Sequence, residues 1–227
     1  EYMSRVRGGS NSTEIRVASS RVAAFVDRID LLVPLDKDAV PHLEHRVSPE
    51  TIVLGECEKL ADYCWGIDIP FTKVAAEVGN AIYANTVAVG TILGLLKVPP
   101  SALDTFLAEF FTRKGQEIVQ RNIEAGHRGY EIGLSLSGPG KITIDIKPDP
   151  TVRDEYFLSG AEAVALGAIA GGCNFIGAYP MSPSTGVFTY LAQHASDLGI
   201  VAEQVEDEIS GMNMAIGAWF AGARALV

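Results

Sequence analysis

Short runs of β-branched and aliphatic residues recur along the first seventy residues and alternate with more polar segments. The runs occupy residues 15–17, 31–33 and 52–54, and the polar segment 36–46 has helical or loop character. Alternation of this kind is typical of strands that are connected by helices. It predicts an α/β layer with a partly parallel sheet.

Apolar residues at helical spacing dominate the next part of the chain. Residues 72–98 predict two consecutive apolar helices with a break near Gly79 and Asn80, and residues 101–124 predict an amphipathic helix. The apolar run 81–98 also contains polar residues and glycines, so we interpret it as a core helix and not as a membrane span. We expect these helices to form a layer that covers the sheet.

A polar segment with two prolines, residues 147–157, predicts a linker, and a short alternating strand, residues 141–146, is expected directly before it. After the linker the predicted order is helix 160–171, strand 174–178, helix 184–198, strand 200–205, helix 207–222 and strand 223–227. Strands and helices that alternate at this pitch predict a parallel sheet.

The sequence therefore predicts two α/β domains, residues 1–146 and 158–227, joined by the linker 147–157. The first domain begins directly on an arginine-rich motif, and the second ends in an apolar run with strand character. We expect the first domain to be truncated at its N-terminus and the second at its C-terminus.

Composition and charge exclude several classes of protein. The chain of 227 residues has 18 Lys and Arg against 28 Asp and Glu, a formal net charge of −10, which argues against nucleic-acid binding because phosphates need clustered basic residues. A hydrophobic content of 48% excludes a disordered chain. The cysteines form no Cys-x-x-Cys pair. The histidines lack metal-ligand spacing apart from His42 and His45, which lie in a polar run typical of a solvated face. We expect a reducing, cytoplasmic location, no metal site and no iron–sulfur cluster held by this chain alone.

The first candidate motif lies at the start of the chain. It combines two arginines with glycines and an amide side chain, and its candidate residues are Arg5, Arg7, Gly8, Gly9 and Asn11. Glycines allow backbone amides to approach an anion, and arginine offers a bidentate fork, so the motif could bind an anionic group. The alternative is a polar turn that leads into the strand expected at residues 15–17.

The second candidate motif follows the strand expected at 174–178 and contains Tyr179, Pro180 and Ser182. Ligands of open parallel sheets bind beyond the carboxyl ends of the strands, so this loop could contact a carboxylate. The alternative is structural, because Ser182 followed by Pro183 is also typical of a helix N-cap with proline in the first turn.

The third candidate is an acidic cluster between the strand 200–205 and the helix 207–222; its members are Glu203, Glu206, Asp207 and Glu208. The helix dipole stabilises carboxylates at this position, which offers a structural explanation for some of them. The helix that follows is rich in Gly, Ala and Ser, which permits close packing against a helix or a planar cofactor. An acid at such an end could have a tuned proton affinity.

Taken together, these stretches resemble the thiamine-diphosphate-dependent 2-oxoacid:ferredoxin oxidoreductases, in the form where a gamma-type domain precedes the alpha-type domain. Residues 1–12, 157–168, 179–185 and 206–218 carry the resemblance, and their order along the chain matches. It implies an α/β fold in which a gamma-type domain with a helical layer is followed by the start of a parallel-sheet domain that binds the pyrimidine of the cofactor. It also implies oxidative decarboxylation of a 2-oxoacid, of the 2-oxoglutarate or pyruvate type, to acyl-CoA and CO2, with electrons passed to ferredoxin.

The resemblance also implies roles for single residues. Glu208 matches the catalytic glutamate that hydrogen-bonds the aminopyrimidine ring of the cofactor. Ser182, with Tyr179 and Pro180 beside it, matches the loop near the substrate carboxylate, where the family usually has threonine in place of Ser182. The arginine–glycine motif with Arg5 is a candidate contact for an anion or coenzyme A.

The cofactors and partners implied by the resemblance lie largely outside this chain. Thiamine diphosphate would be shared with a beta-type subunit, and Mg2+ and iron–sulfur clusters would be held by partner subunits. Coenzyme A would be the co-substrate, ferredoxin the electron acceptor, and the assembly oligomeric, with no nucleic acid or membrane as partner.

Two other interpretations stay open. The chain could be a non-catalytic assembly or binding module, in which case Glu208 would be engaged in a salt bridge away from the sheet edge, whereas an enzyme would keep it at that edge with Ser182. It could also belong to an indolepyruvate-type oxidoreductase, although the gamma-first order disfavours this.

Overall fold

The computed structural model describes residues 12–22, 24, 26–60, 63, 65–138 and 141–227. These residues divide into two compact units between Pro150 and Thr151. The arginine–glycine motif, Arg5, Arg7, Gly8, Gly9 and Asn11, lies outside the described residues. The domain limits at 146 and 158 stay a prediction.

The described part of the first unit contains a parallel sheet. Its strands β1 (Leu31–Leu32), β2 (Ile52–Gly55) and β3 (Ile67–Asp68) lie in the order β1-β2-β3, with Leu31 opposite Ile52 and Leu54 opposite Ile67. Short helices α1 (Ala39–Leu43) and α2 (Cys57–Leu60) follow β1 and β2, as expected for parallel strands.

The strand expected at residues 15–17 was wrong. These residues are in no ladder, and the side chain of Ile15 is 80% exposed. The neighbouring segment is held by a side chain instead, because the nearly buried Arg46 guanidinium binds Glu14 at 2.8 Å and donates to the Val26 carbonyl at 3.3 Å.

The helical layer consists of α3 (Phe71–Val78), α4 (Ala84–Leu95), α5 (Pro100–Phe111) and α6 (Gln116–Leu136). The break predicted near Gly79 is confirmed, since Gly79 ends α3 with φ 140°. The single helix expected over residues 101–124 was wrong. Gly115, with φ 96°, separates α5 from α6, because a residue in that conformation cannot continue a helix.

The core of the first unit lies between the sheet and this layer. Fully or nearly fully buried side chains come from the sheet, from α3, from α4 and from α6; they include Leu54, Phe71, Val87, Leu95 and Ala125. The strand expected at 141–146 was wrong, since this segment makes an isolated bridge between Ser137 and Ile142. The alternation in its sequence arises because Ile142 and Ile144 pack against the core.

The second unit alternates helices and strands as predicted. Its elements are α7 (Gly160–Ala170), β4 (Phe175–Ala178), α8 (Thr185–Gln193), α9 (Ala195–Leu198), β5 (Val201–Gln204), α10 (Glu208–Phe220) and β6 (Ala225–Leu226). All strand pairs are parallel, in the order β5-β4-β6, around a core that includes Ala165, Ile176 and Leu191. The helix expected over 184–198 is interrupted at His194.

The predicted α/β class, with a helical layer and parallel sheets, is thus confirmed. No helix among the residues described here is long and apolar enough to cross a bilayer.

Candidate functional site

The carboxyl ends of β4 and β5 lie side by side in the second unit. Ala178, at the end of β4, is opposite Gln204, at the end of β5, and the Val205 amide donates to the Ala178 carbonyl at 3.1 Å. The loop after β4 and the turn after β5 therefore leave the sheet at the same edge. In open parallel sheets this is the edge where ligands bind.

The loop after β4 carries Tyr179, Pro180 and Ser182. Tyr179 and Ser182 are exposed and Pro180 is half-buried. The loop is closed by Ser184, whose hydroxyl donates to the Met181 carbonyl at 2.8 Å. The interpretation of Ser182 as a helix N-cap was wrong, since α8 begins at Thr185 and its N-cap position is Ser184. The Ser182 hydroxyl makes no hydrogen bond with the described residues, so it is free to bind a ligand.

Asp207 caps the helix that follows β5. Its Oδ1 accepts a hydrogen bond from the Ser210 amide at 2.6 Å, and its backbone is extended at φ −156° and ψ 168°. This bond holds the pKa of the Asp207 carboxyl below its usual value. Among the four acids of the cluster, Asp207 thus has a structural role that satisfies an N-terminal amide of α10.

Glu208 is the first residue of α10, which begins one residue after the start expected at 207, and its side chain is exposed. Its carboxylate forms no ion pair or hydrogen bond with any residue that the structure describes. The salt bridge expected of a non-catalytic module is therefore not seen there. No hydrogen bond joins Glu208 to Ser182; the two residues follow adjacent strands at one edge of the sheet.

The small residues of α10 have different surroundings. Gly211 is buried against β4, where a Cβ would lie 3.1 Å from the Gly177 carbonyl oxygen, whereas a Cβ on Gly217 would meet no atom within 4 Å. Gly211 therefore allows the first turn of α10, which begins at Glu208, to pack closely against β4 of the chain's own sheet.

The outward side of α10 is apolar and exposed, a feature that the sequence analysis missed. Its side chains are between about half and almost fully exposed: Ile209, Met212, Ile216, Trp219 and Phe220. The signal was present, since Ile209, Met212, Ile216 and Trp219 recur at spacings of three and four residues. We call these residues the outward stripe. A helix that is apolar on both sides is typical of one covered on both sides.

Two cysteines lie in different surroundings. Cys173 is a free, buried thiol that donates to the Phe175 carbonyl at 3.3 Å. Cys57 is disulfide-bonded. Within the described ranges, no group of three or more His, Cys, Asp or Glu side chains could hold a metal ion.

Two family models match the chain in the order that the sequence motifs predicted. Residues 1–132 match the family described as pyruvate ferredoxin/flavodoxin oxidoreductase. Residues 166–227 match the family described as pyruvate flavodoxin/ferredoxin oxidoreductase, thiamine diphosphate-binding. The second match includes the loop after β4 and the start of α10.

Curated relatives agree with these matches. The 2-oxoacid:ferredoxin oxidoreductase subunit alpha of a Sulfolobus species is 25% identical over 99% of this chain and 43% of the relative. The 2-oxoglutarate synthase subunit KorA of Methanothermobacter thermautotrophicus is 41% identical over 75 residues, which are 33% of this chain and 20% of the relative. The chain thus spans less than half the length of these relatives.

A solved structure shares the fold. The 2-oxoglutarate:ferredoxin oxidoreductase from Magnetococcus marinus, solved with 2-oxoglutarate, coenzyme A and succinyl-CoA bound, matches with a TM-score of 0.71 at 26% identity. The match covers 92% of this chain and 37% of that chain. These similarities confirm the resemblance drawn from the motifs: the chain belongs to the pyruvate ferredoxin/flavodoxin oxidoreductase family.

Proposed function

We propose that this chain is part of a 2-oxoacid:ferredoxin oxidoreductase, which converts a 2-oxoacid of the 2-oxoglutarate or pyruvate type to acyl-CoA and CO2 and passes electrons to ferredoxin. The observation that carries the proposal is the placement of Glu208. It begins a helix at the carboxyl edge of a parallel sheet, inside the segment that matches a thiamine-diphosphate-binding family, and its carboxylate has no partner among the described residues. A solved relative that binds 2-oxoglutarate and coenzyme A supports the same reaction class.

The residues at this edge fit the pyrimidine half of thiamine diphosphate. When bound, that cofactor supplies a nucleophilic carbon and an electron sink for the 2-oxoacid. Glu208 would hold the pyrimidine ring by a hydrogen bond to a ring nitrogen and would exchange a proton with that atom. An unpaired carboxylate suits this role, because a salt bridge would compete with the ring for the same oxygens.

Ser182 would bind the carboxylate of the 2-oxoacid. Ser182 is exposed, and its hydroxyl makes no hydrogen bond within the described part of the chain. The loop that carries it follows β4, next to the turn after β5 that carries Glu208. Tyr179 and Pro180 would shape the same loop. Because a hydroxyl can donate one hydrogen bond to a carboxylate, Ser182 would position the substrate.

Further subunits would complete the enzyme. The relatives are named as subunits, and the outward stripe of α10 offers an apolar surface beside Glu208 for another protein. We propose that a beta-type subunit covers it and holds the diphosphate and Mg2+, with iron–sulfur clusters also in partner subunits, in an oligomeric, cytoplasmic assembly. The arginine–glycine motif around Arg5 would contact coenzyme A or another anion.

A binding module without catalysis is the second candidate, and the outward stripe by itself would suit it equally. The experiment that decides is an assay of the full-length chain co-expressed with its beta-type partner. Pyruvate, 2-oxoglutarate and indolepyruvate are each supplied with coenzyme A and a viologen acceptor. We expect viologen reduction that depends on coenzyme A with one of the first two acids and none from the chain without its partner. A stable complex without turnover on any acid would favour the module.

A further inference from the structure

The turn between β5 and α10 is fastened at both ends. At its start, the Val205 amide donates to the Ala178 carbonyl of β4 at 3.1 Å. At its end, Asp207 accepts from the Ser210 amide at 2.6 Å. Glu206 alone separates the two fastened residues in sequence, so the direction in which the chain enters α10 is closely constrained.

The second of these contacts determines where α10 begins. With Asp207 extended and the Ser210 amide satisfied, Glu208 is the first helical residue. The Asp207 carboxylate also occupies the position from which an acid can bind the free N-terminal amides. Without it, the first turn would fray, and the Glu208 carboxylate would be the acid nearest to those amides.

We propose that Asp207 is a positioning residue for Glu208: by capping α10 it holds the Glu208 carboxylate at the edge of the sheet and leaves it unpaired. This inference rests on the proposed function, because it assigns Glu208 to the cofactor ring. Asp207 acts through the backbone of α10 and touches neither cofactor nor substrate. A displacement of about 1 Å in a reacting group can lower a rate by about 10²-fold, so loss of the cap has a kinetic consequence larger than its effect on folding.

The test uses the full-length chain assembled with its beta-type subunit and compares Asp207→Ala with Asp207→Asn. Asparagine caps helices about as well as aspartate, so the second variant keeps the cap and removes the charge. Glu206→Ala is the matched control, an adjacent exposed acid that makes no contact with the amides of α10 among the described residues. Two quantities are measured: hydrogen exchange of the Ser210 amide without substrate, and kcat and KM for the 2-oxoacid.

We expect Asp207→Ala to speed exchange of the Ser210 amide by about fivefold and to lower kcat by at least about tenfold, with KM for the 2-oxoacid changed by less than about twofold because the loop with Ser182 is untouched. Asp207→Asn and Glu206→Ala should stay close to wild type in exchange and in kcat.

Three results would overturn the inference, provided that Glu208→Gln still lowers turnover steeply. They are faster exchange in Asp207→Ala with unchanged kcat, unchanged exchange in that variant, and equal losses of kcat in Asp207→Ala and Asp207→Asn. A fourth result, wild-type turnover in Glu208→Gln, would overturn the proposed function itself and this inference with it. Failure of the positioning role of Asp207 is therefore distinguishable from failure of the proposed function.

Discussion

Gly129 of α6 packs directly onto the backbone of Val87 in α4: a Cβ on Gly129 would lie 2.0 Å from the Val87 carbonyl oxygen. Gly90, Gly94 and Gly133 show the same relationship across this helix pair, each with a backbone oxygen within 2.2 Å of its Cβ position. The two helices can approach this closely because side chains are missing along the seam. The seam also buries Thr91, whose hydroxyl donates to the Val87 carbonyl at 3.0 Å.

Gly129→Ala should therefore destabilise the protein by about 3 kcal/mol, because the methyl group meets backbone and the helices must separate. Gly167→Ala in α7 is the matched control, since a Cβ there meets no atom within 4 Å. It should raise stability by about 0.5–1 kcal/mol through helix propensity. Denaturant unfolding of both variants measures the change in the free energy of unfolding. Equal changes in the two variants would show that the close contact at Gly129 does not hold α4 and α6 together.

The outward stripe gives a second prediction. Trp219→Lys combined with Ile216→Lys should abolish association with the beta-type subunit, because charges would have to be buried in the interface. Both positions are exposed in the chain itself, Trp219 at 73%, so the free energy of unfolding of the unassembled protein should change by less than about 1 kcal/mol.

Size-exclusion chromatography of the co-expressed subunits measures the association. Ile82→Lys serves as the control, since Ile82 is 76% exposed on the first unit and lies outside the stripe. An intact complex with the doubly substituted chain would show that the partner binds elsewhere.

The carboxylates that cap α7 and α10 should make the stability of the protein depend on pH. In α7 the Glu162 carboxylate accepts from the Ser159 amide at 2.7 Å, and in α10 Asp207 accepts from Ser210. These backbone hydrogen bonds lower the pKa of Glu162 and that of Asp207 below their ordinary values in the folded protein. In the unfolded chain both acids have their ordinary pKa, so the caps contribute fully above those values and are lost as the pH falls through the lowered ones.

The free energy of unfolding should accordingly fall as the pH is lowered below about 4, and Asp207→Asn together with Glu162→Gln should reduce that slope. Denaturant unfolding at a series of pH values tests this. Identical slopes in the wild type and the double variant would show that the two caps add nothing to acid sensitivity.

The sequence predicted the features of the fold that follow from periodicity. Both parallel sheets and the break at Gly79 follow from alternation and glycine. The helix expected over 207–222 follows from acids after a strand, and it begins one residue later, at Glu208. Strand β3 was missed because two residues, Ile67 and Asp68, show no period. The division between α5 and α6 was missed because it depends on the backbone conformation of Gly115.

The site was predictable to a smaller extent. The sequence indicated a cluster of four acids near the carboxyl edge of the second sheet. The pattern could not say which of the four caps α10. That distinction depends on a single distance, 2.6 Å from Asp207 to the Ser210 amide. The pattern also could not say which serine precedes α8: the N-cap position belongs to Ser184 and not to Ser182, and the Ser184 hydroxyl closes the loop.

Ser182 provides a prediction about substrate binding. Ser182→Ala should raise KM for the 2-oxoacid by about tenfold, since a lost hydrogen bond to a charged group is worth about 1.5–3 kcal/mol. Ser182→Thr keeps the hydroxyl and should stay within about threefold of wild type, because an added methyl group on an exposed loop meets little resistance. Steady-state kinetics of the assembled enzyme give both values. A KM unaffected by the alanine would place the substrate carboxylate elsewhere.

The last prediction concerns Glu208 itself. In the assembled enzyme, Glu208→Gln should leave folding nearly unchanged, because an amide fits the first turn of α10 and gives up about 0.3–1 kcal/mol of interaction with the helix dipole. Turnover should fall by about 10²–10⁴-fold, since an amide cannot exchange a proton with the pyrimidine ring. Glu206→Gln is the matched control at an exposed neighbouring acid and should lower kcat by less than about twofold. Melting temperatures and kcat are measured together, so that loss of activity is not mistaken for loss of fold. If the two amides proved equally mild, Glu208 would not be the acid that serves the cofactor, and the unpaired carboxylate at the edge of the sheet would need another role.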